Sequence, residues 1–357
     1  MHFARFALPL TIVEGTSARK SKKKTDFPFA FCSLIRTFAS EMKKILVLLV
    51  SLVVLVACGP SYEETKEQTR QDRIRAAKED SAALKVAVLP TLDCLPLYVL
   101  KEQQLYDTAV VDIRLKAFTA QMDCDTAFMG TSAEGMMSDL VRAQRLALQG
   151  YKIRYVASTN TYWLLISNRN ARVREIKQIE DKTVAMTRWS ATDLLTDRVV
   201  DSAKVKDEHV YRVQVNDVHV RQQMLQNSVL DVLWMTEPQA TKALMDKNLV
   251  LSDSRRMGYR LGALVFRQDK VRTYERRVQM DEFVKAYNRA CDSINKYGVG
   301  SYKDLIVRYC NVEGAVVDSL PRNLRFEHAV GPLQSDMEKV GKWLNNKGEG
   351  IKVKGGR

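Results

Sequence analysis

The stretch LKVAVLPTLDCLPLYVLKEQQLYDTAVVDIRLKAFTAQMDCDTA, residues 84–127, reads as strand, loop, helix, strand and loop. Residues 84–89 form a short apolar run that is typical of a buried parallel strand. Pro90 ends this strand because proline has no N–H to give to the ladder. Apolar side chains at helical spacing then predict a short helix over residues 97–105. Residues 110–118 alternate as a second strand.

Acids and thiols follow both of these strands. A helix between two parallel strands places the loops after the strands at one carboxyl edge, where open α/β sheets hold their ligands. Residues 119–125 are predicted as the second loop, ahead of a helix that begins at Thr126. Five side chains are therefore expected to line one crevice: Asp93, Cys94, Asp123, Cys124 and Asp125. For Asp123 and Asp125, capping of the next helix is an equal alternative.

The α/β rhythm continues through the rest of the chain. Residues 135–141 predict a third strand, with Ser138 and Asp139 near its carboxyl end. Two further extended runs, 153–158 and 162–167, flank a short polar segment that contains Asn160, and we expect the chain to cross between two lobes there. A second series of strands and helices follows, so the sequence predicts an α/β fold.

Candidate binding residues also follow the strands of this second series. The loop with Trp189 and Ser190 opens a helix that contains Thr192, and free N–H groups at a helix start attract an anion or a carbonyl group. Trp189 is suited to stack on a planar ligand. Simple helix capping is the alternative for Ser190. Trp234 and Glu237 follow a later strand and are expected to close the pocket, with packing as the alternative for Trp234.

The charge of the chain is concentrated at its start. The formal net charge is +14, but residues 1–57 carry 9 Lys and Arg against 3 Asp and Glu. No basic face with interleaved aromatic residues appears, so nucleic acid is not an expected partner. With 46% hydrophobic residues among 357, the chain can bury one large core or two smaller ones.

The N-terminal region has the pattern of a lipoprotein signal. A basic start at Met42 precedes a largely apolar run of 13 residues, too short to span a bilayer. Cys58 follows in a sequence that resembles the bacterial lipobox, so we expect a signal peptide over residues 42–57 and lipidation, such as palmitate, on Cys58. Residues 1–41 are interpreted as a start-site artefact, with a genuine basic extension as the alternative. Residues 58–83 are expected to form a polar tether.

The order of elements resembles type 2 periplasmic substrate-binding proteins of ABC transporters, in the nitrate, sulfonate, taurine and thiamine-precursor branch. The resemblance rests on residues 85–88 and 96–106, on 111–115, and on 230–233 with Pro238. It implies two lobes, each a mostly parallel sheet flanked by helices: lobe I over 84–167 and 259–357, and lobe II over 168–258. Residues 120–125 depart from the glycine-containing turn of that family.

The resemblance also implies a function. It predicts an exported, lipid-anchored monomer on the periplasmic side of the envelope, which passes a small solute to the membrane subunits of an ABC permease and needs no cofactor. The alternative is an enzyme on the same fold, related to thiamine-pyrimidine or menaquinone-pathway enzymes. The sequence has no P-loop, Gly-x-Ser-x-Gly elbow, His-Glu-x-x-His motif or Rossmann glycine signature, which disfavours catalysis.

The cysteines permit a disulfide, because an exported protein meets an oxidising compartment. Cys94 and Cys124 follow strands that are adjacent in sheets of this type, so a bridge between them is one hypothesis, and a bridge between Cys291 and Cys310 is a weaker one. Buried free thiols are the alternative. The four histidines lack the spacing of metal ligands, and no metal site is expected.

Overall fold

The computed structural model describes Met42, Lys43, Leu46 and residues 61–349. The predictions for residues 1–41, for the signal peptide 42–57 and for the lipidation of Cys58 fall outside these residues, apart from three isolated positions. In the described part of the chain, no helix is both long and apolar enough to cross a membrane.

A continuous helix of 21 residues, α1 (Tyr62–Ala82), occupies most of the segment predicted as a tether. Proline and glycine, which interrupt helices, are absent from it. Ser61 and Glu64 form a capping box at its start: Glu64 N donates to Ser61 Oγ (3.2 Å), and Ser61 N donates to Glu64 Oε2 (2.9 Å). None of its residues is buried, so residues 62–82 of the predicted tether form an exposed helix.

Two five-stranded sheets organise the fold, and they define lobe I and lobe II. The lobe I sheet has the order β2-β1-β3-β10-β4, and the lobe II sheet has the order β7-β6-β8-β5-β9. The strands are β1 (Leu84–Val88), β2 (Ile113–Ala117), β3 (Gly135–Asp139), β4 (Ile153–Thr159), β5 (Leu164–Ser167), β6 (Lys182–Met186), β7 (Val210–Gln214), β8 (Val232–Met235), β9 (Leu249–Asp253) and β10 (Gly262–Arg267).

Each sheet contains three parallel strands, and two further strands join it in antiparallel pairings. In lobe I, β1 pairs in parallel with β2 and β3, in a register that sets Leu84 opposite Ile113. In lobe II, β6 pairs in parallel with β7 and β8. The carboxyl ends of β1, β2 and β3 therefore lie at one edge of their sheet, and those of β6, β7 and β8 lie at one edge of theirs.

The chain crosses between the sheets twice. The first crossing, residues 160–163, joins β4 of lobe I to β5 of lobe II, and the second, residues 254–261, joins β9 to β10. The lobe boundary predicted after Ser167 is therefore misplaced. The strand β5 pairs with β8 and β9, so it belongs to lobe II, and the true turning point is the short polar segment before it.

Helices pack on both sheets. They are α2 (Leu95–Glu102), α3 (Gln121–Met129), α4 (Leu140–Leu148), α5 (Ala191–Ala203), α6 (Val218–Gln226), α7 (Gln239–Met245), α8 (Tyr274–Tyr297), α9 (Lys303–Cys310), α10 (Gly314–Asp318) and α11 (Gln334–Leu344). All five residues of β1 are buried, as a central parallel strand requires. In lobe I, Phe283 of α8 meets Phe266 of β10 edge-on, with ring centroids 5.1 Å apart.

The segment predicted as a polar loop after β2 is mostly helix. Helix α3 begins at Gln121, five residues before the predicted start at Thr126. Asp123 and Thr126 are exposed, whereas Cys124, Ala127 and Phe128 are buried at i, i+3 and i+4 on one face. The sequence did not indicate the early start of this helix, because Cys124 is the only apolar residue of the buried stripe before Thr126.

Candidate ligand-binding cleft

A cleft of about 730 Å³, partly open to solvent, lies where the carboxyl edges of the two sheets face each other. Lobe I and lobe II both contribute side chains to its walls. The lining residues are Leu89, Thr91, Asp93, Gln121, Met137, Ser138, Asp139, Arg142, Thr161, Trp163, Thr187, Ser190, Thr192, Asn216, Val218, Arg221, Trp234, Met235, Thr236 and Gln239. The position follows the rule that open α/β sheets bind ligands beyond the carboxyl ends of their strands.

Arg221 is the cationic group of lobe II in this cleft. Its guanidinium lies across the ends of three parallel strands: it donates to the carbonyl of Trp234 (2.8 Å), to Thr187 Oγ1 (3.1 Å) and to the carbonyl of Val215 (2.5 Å). Its Nε is buried and has no hydrogen-bond partner in the described residues. The acceptors of its hydrogen bonds are all uncharged, so its charge is left without a directly bonded carboxylate.

Burial, together with the weaker effect of the positive charge of Arg142, lowers the pKa of Arg221 to about 10, while the charge of Asp217 acts in the opposite direction. Desolvation disfavours the charged form of any cation, and a like charge nearby adds to the effect. A pKa of about 10 still leaves the guanidinium charged at neutral pH. The cleft is therefore lined by two charged arginines, Arg142 from lobe I and Arg221 from lobe II.

Arg142 is the cationic group of lobe I. It lies in the first turn of α4, directly after β3, and its side chain is only 7% exposed. It forms ion pairs with Asp125 and, more loosely at 3.7 Å, with Asp139. Its Nε and Nη2 are nevertheless buried without a hydrogen-bond partner in the described residues, as is the neighbouring Ser138 Oγ. Two residues that line the cleft thus hold three hydrogen-bond donors without a partner in the described residues.

Asp139 connects the end of β3 to α4. Its carboxylate caps α4 by accepting from the backbone N–H of Arg142 (3.0 Å). Burial raises the pKa of Asp139 to about 6, although the charge of Arg142 and the N–H groups of Arg142 and Ala191 oppose the rise. Asp139 therefore changes charge within the physiological range of pH, at the wall of the cleft.

Ser190 and Thr192 build the turn that opens α5 in lobe II. Ser190 Oγ accepts from the N–H of Thr192 (3.1 Å) and donates to the carbonyl of Thr187 (2.7 Å). Thr192 Oγ1 accepts from the N–H of Thr187 (2.9 Å). The predicted cap at Ser190 is confirmed. Both hydroxyl groups also line the cleft, so capping and a place at the site coexist.

Two hydrogen-bond acceptors complement these donors. One oxygen of Asp93, Oδ1, is buried without a partner in the described residues, and the same holds for Gln239 Oε1. Gln239 Nε2 donates to the carbonyl of Pro90 (2.6 Å), which ties lobe II to the loop after β1. Burial raises the pKa of Asp93, with hydrogen bonds from Thr91 and Thr161 as smaller opposing effects. The cleft therefore presents unsatisfied groups of both kinds.

The lobes also touch at the rim of the cleft, and we call this the rim contact. Thr119 Oγ1 donates to the carboxylate of Asp217, and the N–H of Val218 donates to the carbonyl of Thr119 (3.0 Å). Ala120 forms an isolated antiparallel bridge with Asp217. The Thr119–Asp217 hydrogen bond and this bridge, to which the Val218–Thr119 bond belongs, therefore join the start of α3 in lobe I to the start of α6 in lobe II.

The cysteine predictions are wrong. Cys94 and Cys124 are free and fully buried, and they do not line the cleft. Cys94 Sγ accepts from the N–H of Leu89 (3.4 Å), and Cys124 Sγ lies 4.0 Å from the carbonyl of Val88, so both thiols pack beneath the end of β1. Cys291 and Cys310 are free as well. The alternative of buried free thiols holds for all four described cysteines.

Several other predicted site residues lie beside the cleft instead of in it. Asp123 is exposed on the outer face of α3. Asp125 and Trp189 line a neighbouring groove, where Asp125 pairs with Arg142. Trp189 meets Trp343 of α11 edge-on at 6.2 Å, which is packing and not a free stacking platform.

Two predicted residues support the chain crossings. Glu237 accepts hydrogen bonds from Tyr162 (2.8 Å) and from the Thr241 hydroxyl (2.7 Å). Asn160 donates to the carbonyl of Arg325 (3.1 Å). Trp234 does line the cleft, but its ring is fully buried and its Nε1 donates to Thr196 (2.9 Å), in agreement with the packing alternative.

Sequence reasoning found Asp93, Ser138, Asp139, Ser190 and Thr192 in the cleft but missed its charged centre. Arg142 lies in the first turn after β3, and Arg221 lies one turn into the helix after β7. A basic residue in the first turn after a parallel strand was the signal available for both. In the described residues, no group of three or more His, Cys, Asp or Glu side chains could hold a metal ion.

Comparisons with known proteins identify the fold. No family model matches the sequence, and no curated protein matches it. The solved structure of the periplasmic aliphatic sulphonate-binding protein of Escherichia coli is similar, with a TM-score of 0.60 at 14% identity, over 74% of this chain and 88% of that one. The predicted resemblance to periplasmic binding proteins, with its two lobes of helix-flanked sheets, is confirmed at the level of the fold.

Two further solved structures agree. The periplasmic nitrate-binding protein of Synechocystis PCC 6803 is similar with a TM-score of 0.64 at 11% identity, over 77% of this chain and 83% of that one. The zinc-bound ligand-binding component of an ABC-type import system from Staphylococcus aureus is similar with a TM-score of 0.63 at 14% identity, over 74% of this chain and 91% of that one.

Proposed function

We propose that this protein binds a small anionic or zwitterionic solute between its two lobes and delivers it to the membrane subunits of an ABC permease. One observation carries the proposal. Arg142 of lobe I and Arg221 of lobe II line the same cleft, and both have buried guanidinium N–H groups without an acceptor. A buried donor without a partner costs about 1–3 kcal/mol, so the site favours a ligand that accepts hydrogen bonds.

An oxyanion between the two guanidinium groups would satisfy their free N–H groups and reduce the repulsion between their charges. It accepts the free N–H groups in charge-assisted hydrogen bonds, and it neutralises the mutual repulsion that helps to lower the pKa of Arg221. Because the arginines belong to different lobes, the anion also bridges the lobes, and hinge closure around it excludes water. The hydroxyl of Ser138, which is buried and unpaired, adds a neutral donor.

The similar structures support this class of ligand. Two of them are named for the binding of sulphonates and of nitrate, which are both oxyanions. All three named neighbours are binding components, not enzymes, and this supports a binding function over the catalytic alternative.

A thermal-shift screen tests the proposal. The panel contains methanesulfonate, nitrate, amino acids, pyrimidines and polyamines. A ligand that binds the folded state adds about 2.7 kcal/mol of stability at a hundred times its Kd, so anions or zwitterions should raise the melting temperature in a concentration-dependent way. A response to polyamines alone, or to no compound in the panel, would contradict the proposed function.

Anion binding is expected to strengthen as the pH falls from 8 to 5. Asp139, with its pKa of about 6, is ionised above that pH and then repels an anion held by Arg142. A bound anion raises this pKa further, so linkage requires protonation to tighten binding. We expect the Kd of methanesulfonate, which stays ionised throughout, to fall about tenfold over this range in calorimetric titrations, as a further rise of one pKa unit implies.

The variant Asp139→Asn is the matched control for this pH dependence. Asparagine caps a helix about as well as aspartate, so the fold of α4 is retained while the titrating group is lost. The pH dependence of the Kd should flatten in the variant. An unchanged slope would assign the effect to another group, such as Asp93 or Asp125, whose pKa values burial also raises.

We also propose that the protein is exported and held at the envelope by lipid on Cys58, as a monomer. This rests on the basic start, apolar run and lipobox-like sequence of residues 42–58. Lipid chains attach a protein to a membrane without a spanning helix. The mass of the N-terminal peptide of the mature protein checks this: an acylated Cys58 is expected, and a free N-terminus at any other residue would contradict it.

A further inference from the structure

A second cavity adjoins the cleft on the side of the chain crossings, and we call it the hinge compartment. It encloses about 480 Å³ including its opening, and apolar groups dominate its walls. Those groups come from Leu92, Tyr162, Tyr287, Leu324 and Phe326. The hinge compartment shares Asp93, Thr161 and Thr236 with the cleft, so the two spaces are continuous.

Hydrogen bonds hold the walls of the hinge compartment in place. Asn295 of α8 clamps the backbone of Phe326, accepting from its N–H (3.0 Å) and donating to its carbonyl (2.7 Å). Tyr162 donates to Glu237, and the guanidinium of Arg255 stacks 3.6 Å from the centre of its ring. Tyr287 is 2% exposed. The compartment is therefore preformed, as binding pockets for small molecules generally are.

Asp93 lies at the junction of the two spaces. Its Oδ1 is buried and unpaired in the described residues, so this carboxylate oxygen is available to a hydrogen-bond donor of a ligand. Arg142 lines the cleft and the groove on its other side, whereas Asp93 lines the cleft and the hinge compartment. Asp93 therefore lies on the side of the cleft that adjoins the hinge compartment, and Arg142 lies on the side that adjoins the groove.

We propose that the solute is a zwitterion with an apolar substituent, and this inference rests on the proposed function. Its anionic group binds Arg142 and Arg221, its ammonium group binds Asp93, and its apolar substituent fills the hinge compartment. An inorganic anion or a short alkanesulfonate leaves Asp93 Oδ1 unpaired and the hinge compartment unfilled. Sites with a buried polar group discriminate strongly against ligands that lack its partner, because the group stays unsatisfied.

Calorimetric titration with matched probes tests the inference. Phenylalanine and 3-amino-3-phenylpropionate carry all three features with two spacings of the charges. The compound 3-phenylpropionate lacks the ammonium group of both, and glycine and β-alanine lack the ring. We expect at least one of the two complete probes to bind about 10-fold or more tighter than 3-phenylpropionate and than its own ring-free analogue.

Two variants assign these preferences to their residues. Asp93→Asn, which keeps the shape of the side chain, should reduce the preference for the complete probe over 3-phenylpropionate to about onefold. Leu324→Trp fills the hinge compartment and should abolish the preference for the ring while binding of glycine or β-alanine persists. Leu333→Trp, at a side chain that is 55% exposed and outside both cavities, is the matched control.

The outcomes separate this inference from the proposed function. Equal binding of methanesulfonate, 3-phenylpropionate and the complete probes overturns the zwitterion but leaves the anion site intact. Unchanged preferences in both variants, with melting temperatures that show folded protein, overturn the placement of the groups. Failure of every anion and every zwitterion to bind overturns the proposed function itself.

Discussion

Replacing Arg221 by methionine is expected to weaken anion binding by about 100- to 1000-fold. Truncating one partner of a buried, hydrogen-bonded charge pair costs about 2–5 kcal/mol, and each 1.4 kcal/mol is a factor of ten. The loss should appear in the Kd of the anion that gives the largest thermal shift, measured by calorimetry. Arg221→Lys should recover only part of the affinity, because an ammonium group cannot reproduce the planar fork that reaches three strand ends.

The control for this prediction is Arg272→Met. Arg272 is exposed and lies outside the cleft, so its replacement removes the same charge from the protein without touching the site. Far-ultraviolet circular dichroism and the melting temperature must show that Arg221→Met is folded, since the carbonyls of Val215 and Trp234 lose their donor. Wild-type affinity in a folded Arg221→Met protein would contradict the central place of this residue.

Replacing Trp234 by alanine is expected to destabilise the protein by about 3–5 kcal/mol. Its ring is fully buried at the end of β8, and truncation of large aromatic residues in a core leaves a cavity of that cost. The Nε1–H of Trp234 also loses its bond to Thr196, whose own hydroxyl donates to the carbonyl of Thr192 (2.7 Å). Urea denaturation monitored by circular dichroism gives the free energy of unfolding.

The matched control is Tyr274→Ala, which truncates an aromatic side chain that is 72% exposed. Its effect should stay within about 0.5 kcal/mol. A loss below 1 kcal/mol for Trp234→Ala would show that this side chain belongs to the ligand site and not to the core. The packing alternative, which the burial and the hydrogen bond of Trp234 support, would then be wrong.

Strands and long helices were predictable from the sequence because their signals are local. The apolar run at residues 84–89 became β1, and the cap at Ser190 fixed the start of α5 at the predicted residue. Helix α3 was missed because its buried stripe is short and its first turns are polar. The lobe assignment of β5 was wrong because pairing partners depend on distant residues that no local pattern reveals.

The candidate site was only half predictable. Acids and hydroxyls at strand ends could be placed because the carboxyl edge of a parallel sheet is a property of topology, as Asp139 illustrates. The importance of Arg142 and Arg221 could not be read in the same way, because surface arginines are common and only burial distinguishes these two. The prediction that the cysteines line the cleft was wrong because thiols near a strand end are apolar enough to pack inward, as Cys94 does.

The rim contact is expected to influence the dissociation rate of a solute separately from the selectivity of the cleft. Its hydrogen bonds run between Thr119, Ala120 and the start of α6, and the Thr119 side chain is not bonded to either arginine. Substitutions of Thr119 should therefore alter the dissociation rate while leaving chemical selectivity untouched, since residence time is the property that related complexes vary most readily. Asp217 differs, because its charge raises the pKa of Arg221. Selectivity and residence time could then evolve independently, because residues in the cleft determine selectivity and the rim contact determines the residence time of the solute.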